Sequence, residues 1–399
     1  MHEAGFIADG MRYLANSYRR APMLVVRGQG CKVWDIEGKE YLDFVAGIAV
    51  NNLGHCHPRV VDALQQQAAR LIHVSNLYYI QPQIELAQLL VNNSFADKAF
   101  FCNSGAEAIE AAIKLVRRYS SAHFGPERFE IICMDHSFHG RTMGALSATG
   151  QAKYHEGYQP MLPGFSFVPY NDLDAIRRAI TDKTCAILVE PIQGEGGVNI
   201  PYDSYLPGLR DLCQEYKLLL IYDEIQTGMG RTGKFFAYEH YDAPPDIMAL
   251  AKGIAGGVPM GAMLATEEVM NTFIPGSHAS TFGGNPLACA AGVAAVKTLL
   301  QEGIVDHCQK IGDYFKNRLI GLAQKFPFIN NVRGKGLMLG MELTFPGAEI
   351  VDRCREEGFL INCTMDKVLR FLPPLIISEE EIDRLLEALE AIFDKCHPE

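Results

Sequence analysis

The stretch LLLIYDEIQTGMGRTG, residues 218–233, begins with large apolar side chains and then changes abruptly to acidic residues and glycines. A compact apolar run such as Leu218–Tyr222 is typical of a strand that is buried on both faces of a sheet. A similar run, Ala186–Val189, precedes it, and the segment between them carries an apolar stripe with helical spacing from Leu209 to Tyr216. Strand, helix and strand in this order predict a mostly parallel sheet with helices on both faces.

The C-terminal part of the chain has a different sequence pattern, in which long helical segments dominate. Long helical patterns cover residues 286–302 and 305–325, and Ser378 begins a last helix with a capping box. Between them, Phe359–Asn362 and Val368–Leu372 have the apolar character of short strands. These elements predict a smaller α+β unit.

We therefore expect an α/β protein with two domains. Residues 56–285 are predicted to form the large domain and residues 286–399 the small one. The N-terminal segment, residues 1–55, is expected to contribute to the small domain, because residues 28–44 alternate like a small antiparallel sheet.

Composition narrows the class of partner. The chain has 399 residues and a formal net charge of −11. Such a protein repels nucleic-acid phosphates and anionic lipid, so we expect neither nucleic acid nor a membrane surface as a partner. We also expect no membrane span, since no run of about 18 apolar residues exists, and no secretory signal peptide at the N-terminus.

The eleven cysteines are scattered singly, with no CxxC pair. This pattern indicates reduced thiols and a cytoplasmic location instead of a disulfide framework. The triplet His55-Cys56-His57 looks like a metal clip, but Pro58 follows at an expected helix start. A turn is the better interpretation, and no metal site is predicted.

Two ionisable residues end apolar runs. Asp223 follows Leu218–Tyr222, and Lys252 follows the run IMALA. Ligands of open parallel sheets bind beyond the carboxyl ends of the strands. The two residues therefore form either a ligand site or a structural ion pair, and placement alone does not choose between them.

The local sequences favour a ligand. Lys252 lies among glycines, which permit close approach of a bound group, and a lysine with a depressed pKa forms Schiff bases with carbonyls. Asp223 is suited to hold a ring nitrogen protonated, as pyridoxal 5'-phosphate (PLP) requires. Ser104-Gly105-Ala106 opens a predicted helix, whose N-terminus suits a phosphate, although for Asn103-Ser104 taken alone an ordinary N-cap is the safer interpretation.

Seven motifs carry a family resemblance: NSGAEAIEAAIKLVRR, SFHGRTMGALSATG, VEPIQGEGGV, DEIQTGMGRTG, ALAKGIAGGVPMGA, STFGGNPLACAA and VLRFLPPL. In this order and at these intervals they resemble class III aminotransferases, from about residue 20 to about residue 395. GIAVNNLGHCHP and SNLYYIQPQIELAQLL resemble the subgroup that acts on N2-acetylornithine. The resemblance implies the PLP-dependent transferase fold type I, with a mostly parallel seven-stranded sheet between helices in the large domain.

The resemblance also implies a role for each site residue. Lys252 matches the lysine that binds PLP, Asp223 the partner of the ring nitrogen, Gln226 the neighbour of the phenolic oxygen and Phe138 the stacking aromatic. The phosphate loop matches Ser104, Gly105 and Ala106. Thr281 matches a residue that reaches the cofactor phosphate of the neighbouring subunit, which implies a homodimer.

Substrate selection is expected to involve two arginines, since a guanidinium binds a carboxylate through two hydrogen bonds. By resemblance, Arg141 takes the carboxylate distal to the reacting amine and Arg370 the α-carboxylate of glutamate. Glu195 matches a glutamate that neutralises Arg370 when the ω-amine donor is bound. Ser280 is a further expected substrate contact.

The reaction that the resemblance implies is transfer of the ω-amino group of N2-acetylornithine to 2-oxoglutarate. The products are N-acetylglutamate semialdehyde and glutamate, and the pathway is arginine biosynthesis. Succinylornithine, ornithine and 4-aminobutyrate remain open as alternative donors. A mutase or racemase on the same fold is a further alternative, as is a non-enzymatic binding protein.

Overall fold

The computed structural model describes residues 3–396. Its strands are β1 (Val25–Gln29), β2 (Lys32–Asp35), β3 (Glu40–Asp43), β4 (Lys98–Cys102), β5 (Glu130–Met134), β6 (Phe165–Val168), β7 (Thr184–Val189), β8 (Leu219–Asp223), β9 (Ile247–Leu250), β10 (Gly261–Ala265), β11 (Ile329–Lys335), β12 (Met338–Leu343), β13 (Phe359–Leu360), β14 (Asn362–Thr364) and β15 (Val368–Phe371).

The α-helices are α1 (Glu3–Tyr13), α2 (Pro58–Ala68), α3 (Gln81–Val91), α4 (Gly105–Phe124), α5 (Met143–Ser147), α6 (Leu173–Ala179), α7 (Tyr205–Tyr216), α8 (Glu267–Met270), α9 (Pro286–Gln301), α10 (Ile304–Lys325), α11 (Ala348–Glu356) and α12 (Glu379–Phe393). Short 3₁₀ turns lie at Ala152–Tyr154, Ala237–His240 and Lys252–Ala255. A four-residue turn, Ala46–Ala49, has positive φ throughout.

The largest sheet has seven strands in the order β4-β10-β9-β8-β7-β5-β6. Neighbouring strands from β9 to β6 are parallel, whereas β10 runs antiparallel to both β9 and β4. The mostly parallel seven-stranded sheet predicted above is therefore confirmed.

The strands of this sheet are apolar on every residue because both of their faces are covered. Along β7, Ala186 and Leu188 pack with the long helix α4. The alternate residues Ile187 and Val189 pack with helices α6 and α7 on the opposite face. Successive side chains of a strand point to opposite faces, so a strand between two helical layers needs a continuous apolar run.

The register of β8 and β9 explains how two residues 29 positions apart in sequence reach one edge of the sheet. Asp223, the last residue of β8, is the parallel partner of Ala249 in β9. Lys252 follows Ala249 by three residues, just beyond the end of β9. Both side chains thus emerge at the carboxyl edge of the sheet.

Two four-stranded sheets flank the central one, with the orders β1-β2-β3-β13 and β11-β12-β15-β14. The first includes the N-terminal antiparallel strands predicted from residues 28–44. It joins the C-terminal part of the chain through the parallel pairing of Phe359 with Leu42. The domain boundaries themselves stay a prediction.

One predicted strand is divided. Phe359–Asn362 was expected to be a single strand, but β13 pairs with β3 while β14 pairs antiparallel with β15. The chain leaves one sheet and enters the other at Ile361, whose side chain is buried. An apolar run does not reveal such a change of partner, because both sheets bury the same residue type.

The C-terminal helices follow their sequence signals. Helices α9 and α10 agree with the predicted ranges to within one residue at each end, and Ser378 and Glu381 form the capping box of α12. No single helix within residues 3–396 has the length and apolarity to cross a membrane; α9 and α10 meet those criteria only as a pair, bent by 65°.

Candidate active site

A cavity of about 390 Å³ lies at the carboxyl edge of the central sheet. Its wall includes eight of the residues that the sequence singled out: Ser104, Gly105, Ala106, Phe138, Glu195, Asp223, Gln226 and Lys252. Asp223 is the last residue of β8, and the others lie in the segments that follow β4, β5, β7, β8 and β9. The fold therefore brings together in one place motifs that are spread over some 150 positions of sequence.

Lys252 begins the 3₁₀ turn that follows β9, with a φ of 46°. Burial lowers the pKa of its amine to about 8; Glu195 opposes this change, and the positive charge of Arg370 adds to it. A larger fraction of this amine is neutral near pH 7 than for an ordinary lysine, and the neutral form is the nucleophile.

A glycine is required in the turn after Lys252. Gly257 has a φ of 108°, and a Cβ atom at this position would lie 2.9 Å from the Asn51 side-chain oxygen. This turn therefore lies against the segment that follows the left-handed turn Ala46–Ala49. The close approach fixes the wall of the cavity next to the lysine.

Asp223 is buried and has a buried partner. Its Oδ2 lies 2.7 Å from Nδ1 of His139, and its Oδ1 accepts a hydrogen bond from the Ile225 backbone N–H at 3.1 Å. Such contacts hold the carboxylate in one orientation.

A second buried carboxylate, Glu190, lines the same cavity. It accepts hydrogen bonds from the backbone N–H groups of Phe138 at 2.9 Å and Gly194 at 3.1 Å. Burial raises its pKa to about 7, partly offset by His139. Glu190 thus ties the loop that carries Phe138 to the loop that carries Glu195.

The predicted phosphate loop is a helix N-terminus. Helix α4 begins at Gly105, and the Ser104 hydroxyl caps it by accepting from the Glu107 N–H at 3.2 Å. The backbone N–H groups of Gly105 and Ala106 belong to the first turn, where a helix supplies no acceptor of its own. Both residues line the cavity, and the N–H groups of a helix N-terminus are suited to bind an anion.

Arg370 is enclosed, with 1% of its side chain exposed, and its Nη1 lies 2.6 Å from Oε1 of Glu195. The same nitrogen lies 3.3 Å from Oε1 of Gln226. Burial alone would raise the pKa of Glu195, but Arg370 and Lys252 together lower it. The predicted Glu195–Arg370 pair is therefore formed in the structure.

Arg141 lies outside the cavity wall, and its side chain is exposed. Its guanidinium carbon is 4.0 Å from the centre of the Tyr154 ring and 5.4 Å from that of Phe138. The two rings meet edge to face at 5.8 Å. Because Phe138 lines the cavity, this group of three side chains is continuous with the wall.

The loop that contains Ser280 and Thr281 contacts the cavity wall through the Ser280 side chain. The Ser280 hydroxyl accepts hydrogen bonds from Nδ2 of Asn103, a residue of the wall, at 3.3 Å and from the Gly283 N–H at 2.9 Å. Thr281 is exposed and does not line the cavity of its own chain.

Sequence reasoning missed three residues of this region: His139, Glu190 and Tyr154. Glu190 had the same signal as Asp223, since it directly follows the apolar run Ala186–Val189. His139 and Tyr154 had no such signal, because their importance comes only from contacts with residues far away in sequence.

The triplet His55-Cys56-His57 forms a turn in which His55 Nε2 lies 2.7 Å from Asp43 Oδ2.

The described residues form neither a candidate metal site nor a disulfide. Within residues 3–396, no group of three or more His, Cys, Asp or Glu side chains has an arrangement that would hold a metal ion. All eleven cysteines are free thiols.

Comparison with known proteins identifies the family. The model of the class III aminotransferases matches residues 13–393. The chain is 52% identical to the acetylornithine aminotransferase of Methanocaldococcus jannaschii, over 98% of this chain and 99% of that protein.

Solved structures agree in fold. The ornithine aminotransferase of Toxoplasma gondii, which has partial occupancy of PLP at its active site, superposes with a TM-score of 0.95 at 36% identity, over 99% of this chain and 96% of that one. The acetylornithine aminotransferase of Elizabethkingia anophelis gives a TM-score of 0.89 at 34% identity, over 99% and 100%. The chain has the fold of the PLP-dependent type I transferases, and it belongs to the class III aminotransferase family.

Proposed function

We propose that the cavity binds PLP and that the enzyme transfers the ω-amino group of N2-acetylornithine to 2-oxoglutarate, giving N-acetylglutamate semialdehyde and glutamate in arginine biosynthesis. The observation that carries this proposal is the location of Lys252, with its lowered pKa, in one cavity with Asp223 and the N-terminus of α4. The similarity to acetylornithine aminotransferases over almost the whole chain supports the donor.

The residues present fit the cofactor. A phosphorylated pyridine aldehyde needs an amine to link with, an acid beside its ring nitrogen and a cradle for its phosphate. Lys252, Asp223 and the amides of Gly105 and Ala106 are suited to these needs, with Ser104 beside them. Phe138 would cover the ring and Gln226 would meet its phenolic oxygen.

When bound, PLP supplies the aldehyde carbon that carries the amino group and a ring that accepts electron density. Asp223, held by His139, would keep a proton on the ring nitrogen. Lys252 would hold the cofactor through its Nζ atom, and the same amine, when free, would take the proton from the carbon that bears the reacting amine of the donor. Burial favours this step, because it holds the Lys252 amine neutral to a lower pH.

Two substrates of different charge use the same cavity in turn. Arg141 binds the carboxylate distal to the reacting amine in either substrate. Arg370 binds the α-carboxylate of glutamate or 2-oxoglutarate, whereas with acetylornithine it stays paired with Glu195. The pairing avoids a bare buried charge, which would cost several kcal/mol. Ser280 is a further contact for the substrate.

The active unit is proposed to be a homodimer in which Thr281 reaches the cofactor phosphate of the neighbouring subunit. Thr281 is exposed in the single chain, and large apolar side chains are exposed as well, among them Leu77, Tyr78 and Tyr79, the last with 97% of its surface accessible. A test is subunit exchange: mixing inactive K252A with weakened T281A should restore activity, since mixed dimers contain one intact site.

A half-reaction screen tests the donor. The PLP-loaded protein is mixed separately with acetylornithine, succinylornithine, ornithine and 4-aminobutyrate, and the visible absorbance of the lysine-linked cofactor is followed. Acetylornithine should bleach it fastest. If another amine bleaches it and acetylornithine does not, the donor assignment is wrong. A mutase or racemase would show no dependence on 2-oxoglutarate.

The cofactor assignment has its own test. K252A should lose the visible absorbance of the protein-linked cofactor, whereas K316A should keep it, since Lys316 donates to the Gly334 carbonyl away from the cavity. A protein-linked absorbance that survives in K252A would refute the role of Lys252.

The free thiols fit the reducing cytoplasm, which we propose as the location.

A further inference from the structure

Arg141 has a fixed backbone and an exposed side chain. The Glu110 carboxylate accepts hydrogen bonds from the Thr142 hydroxyl at 2.6 Å and from the Gly144 N–H at 2.8 Å, which pins the loop immediately after Arg141. The ion pairs found within residues 3–396 do not include Arg141. A long, exposed and unpaired arginine has considerable rotational entropy to lose when it binds an anion.

The Tyr154 ring supplies the missing restraint. The Arg141 guanidinium carbon lies 4.0 Å from the ring centre, within the range in which a guanidinium stacks on an aromatic face. Stacking uses the π face of the cation and leaves its N–H edge available for a carboxylate. The Lys153 amine also lies 4.9 Å from this ring, so a second positive charge is near it.

Tyr154 is itself held in place. It ends the 3₁₀ turn Ala152–Tyr154, and the preceding Gln151 is buried, with its amide donating to the Ser137 carbonyl at 3.1 Å. The following His155 has its Nε2 2.9 Å from the Leu146 carbonyl oxygen. The ring also meets Phe138, which lines the cavity. A rigid ring can orient a flexible cation.

We propose that Tyr154 is a positioning residue for substrate recognition: its ring face holds the Arg141 guanidinium ready for the distal carboxylate of both substrates. This inference rests on the proposed function, in which Arg141 binds that carboxylate. The role depends on the aromatic ring and not on the hydroxyl, because the guanidinium contacts the ring face.

The test uses glutarate, a five-carbon dicarboxylate with neither amine nor keto group, so that binding is measured without turnover. Isothermal titration calorimetry on the PLP-loaded protein compares the wild type with Y154F, Y154L and R141M. Y154F should bind within twofold of the wild type. Y154L should bind about tenfold more weakly, which is the size of a partly exposed cation–π contact.

The matched control is Y216L. Tyr216 is likewise half-buried and has an arginine, Arg177, over its ring at 5.7 Å, but it lies outside the cavity wall and Arg177 is paired with Glu215. Glutarate binding should not change in this variant. R141K serves as a second probe of the stack, because it keeps the charge and loses the planar group; it should weaken binding as Y154L does.

In steady-state kinetics, Y154L should raise KM for acetylornithine and for 2-oxoglutarate together while kcat stays within about twofold. The inference is overturned if Y154L binds glutarate like the wild type while R141M binds it weakly, or if Y154F is as impaired as Y154L. Failure of the proposed function looks different: acetylornithine would then leave the absorbance of the wild-type protein unchanged.

Discussion

The two arginines proposed to bind carboxylates are built in opposite ways. Arg370 is enclosed in the protein and paired with Glu195, whereas Arg141 is exposed and stacked on Tyr154 without a carboxylate partner among the described residues. A buried cation needs a counterion, because water does not screen it. An exposed cation needs only orientation.

This difference has a consequence for specificity. In the proposed function, a substrate carboxylate replaces Glu195 at Arg370, so that Arg370 is available to one substrate and neutral for the other. Arg141 has no such competitor and is available to both. We therefore propose that Arg370 is a conditional anion site and Arg141 a permanent one, and substitutions at each should have distinct effects.

The largest effect is expected from removing the conditional site. R370M should reduce the half-reaction with glutamate about 100-fold, because the variant loses the carboxylate contact and leaves Glu195 without its partner. The half-reaction with acetylornithine should fall much less. Single-turnover spectroscopy with each amine measures the ratio, and an equal loss with both would contradict the division of roles between the arginines.

Removing the counterion, Glu195, should impair the reaction of acetylornithine more than that of glutamate. E195Q should lower kcat/KM for acetylornithine about tenfold, since Arg370 would then be buried without a charge partner beside this donor. Glutamate should react as in the wild type or better. E342Q is the matched control, because Glu342 on β12 pairs with Arg333 on β11 and does not line the cavity.

The pKa of the Lys252 amine should depend on the charges of the Glu195–Arg370 pair. The rate at which the cofactor-free protein captures PLP should rise with pH around a midpoint of about 8, since only the neutral amine reacts. Glu195 raises the pKa of Lys252 and Arg370 lowers it. The midpoint should therefore move down in E195Q and up in R370M; movement in the same direction would contradict the electrostatic argument.

The smallest effect is expected at the permanent site. R141M should change the free energy of unfolding by less than about 0.5 kcal/mol, because the side chain is exposed. The free energy of unfolding of R370M should fall by about 1–3 kcal/mol, since a partly buried Glu195 would stay unpaired. Urea denaturation of the two variants decides this, and equal losses would show that Arg141 also has a structural role.

Much of the fold and of the cavity could be predicted from the sequence. The continuous apolar runs at β7 and β8 indicate strands covered on both faces, and their carboxyl ends carry Glu190 and Asp223. These signals are local: a strand between two helical layers must be apolar on every residue. The capping box at Ser378 is equally local and appears where predicted.

Other features could not be read from the chain. The change of sheet at Ile361 depends on which neighbours are available for pairing. The contact between His139 and Asp223 joins residues that are 84 positions apart, and nothing in their local sequences requires it. Long-range contacts depend on the packing of whole elements, for which a single sequence offers no local signal.

The two arginines illustrate this division. The motifs that contain Arg141, Glu195 and Arg370 identify a family, and they make carboxylate binding the expected role of each arginine. The tertiary structure decided that one cation is enclosed with a carboxylate and the other is held by an aromatic ring. The physical reason is burial: whether a charge needs a counterion depends on its access to water, which only the folded chain defines.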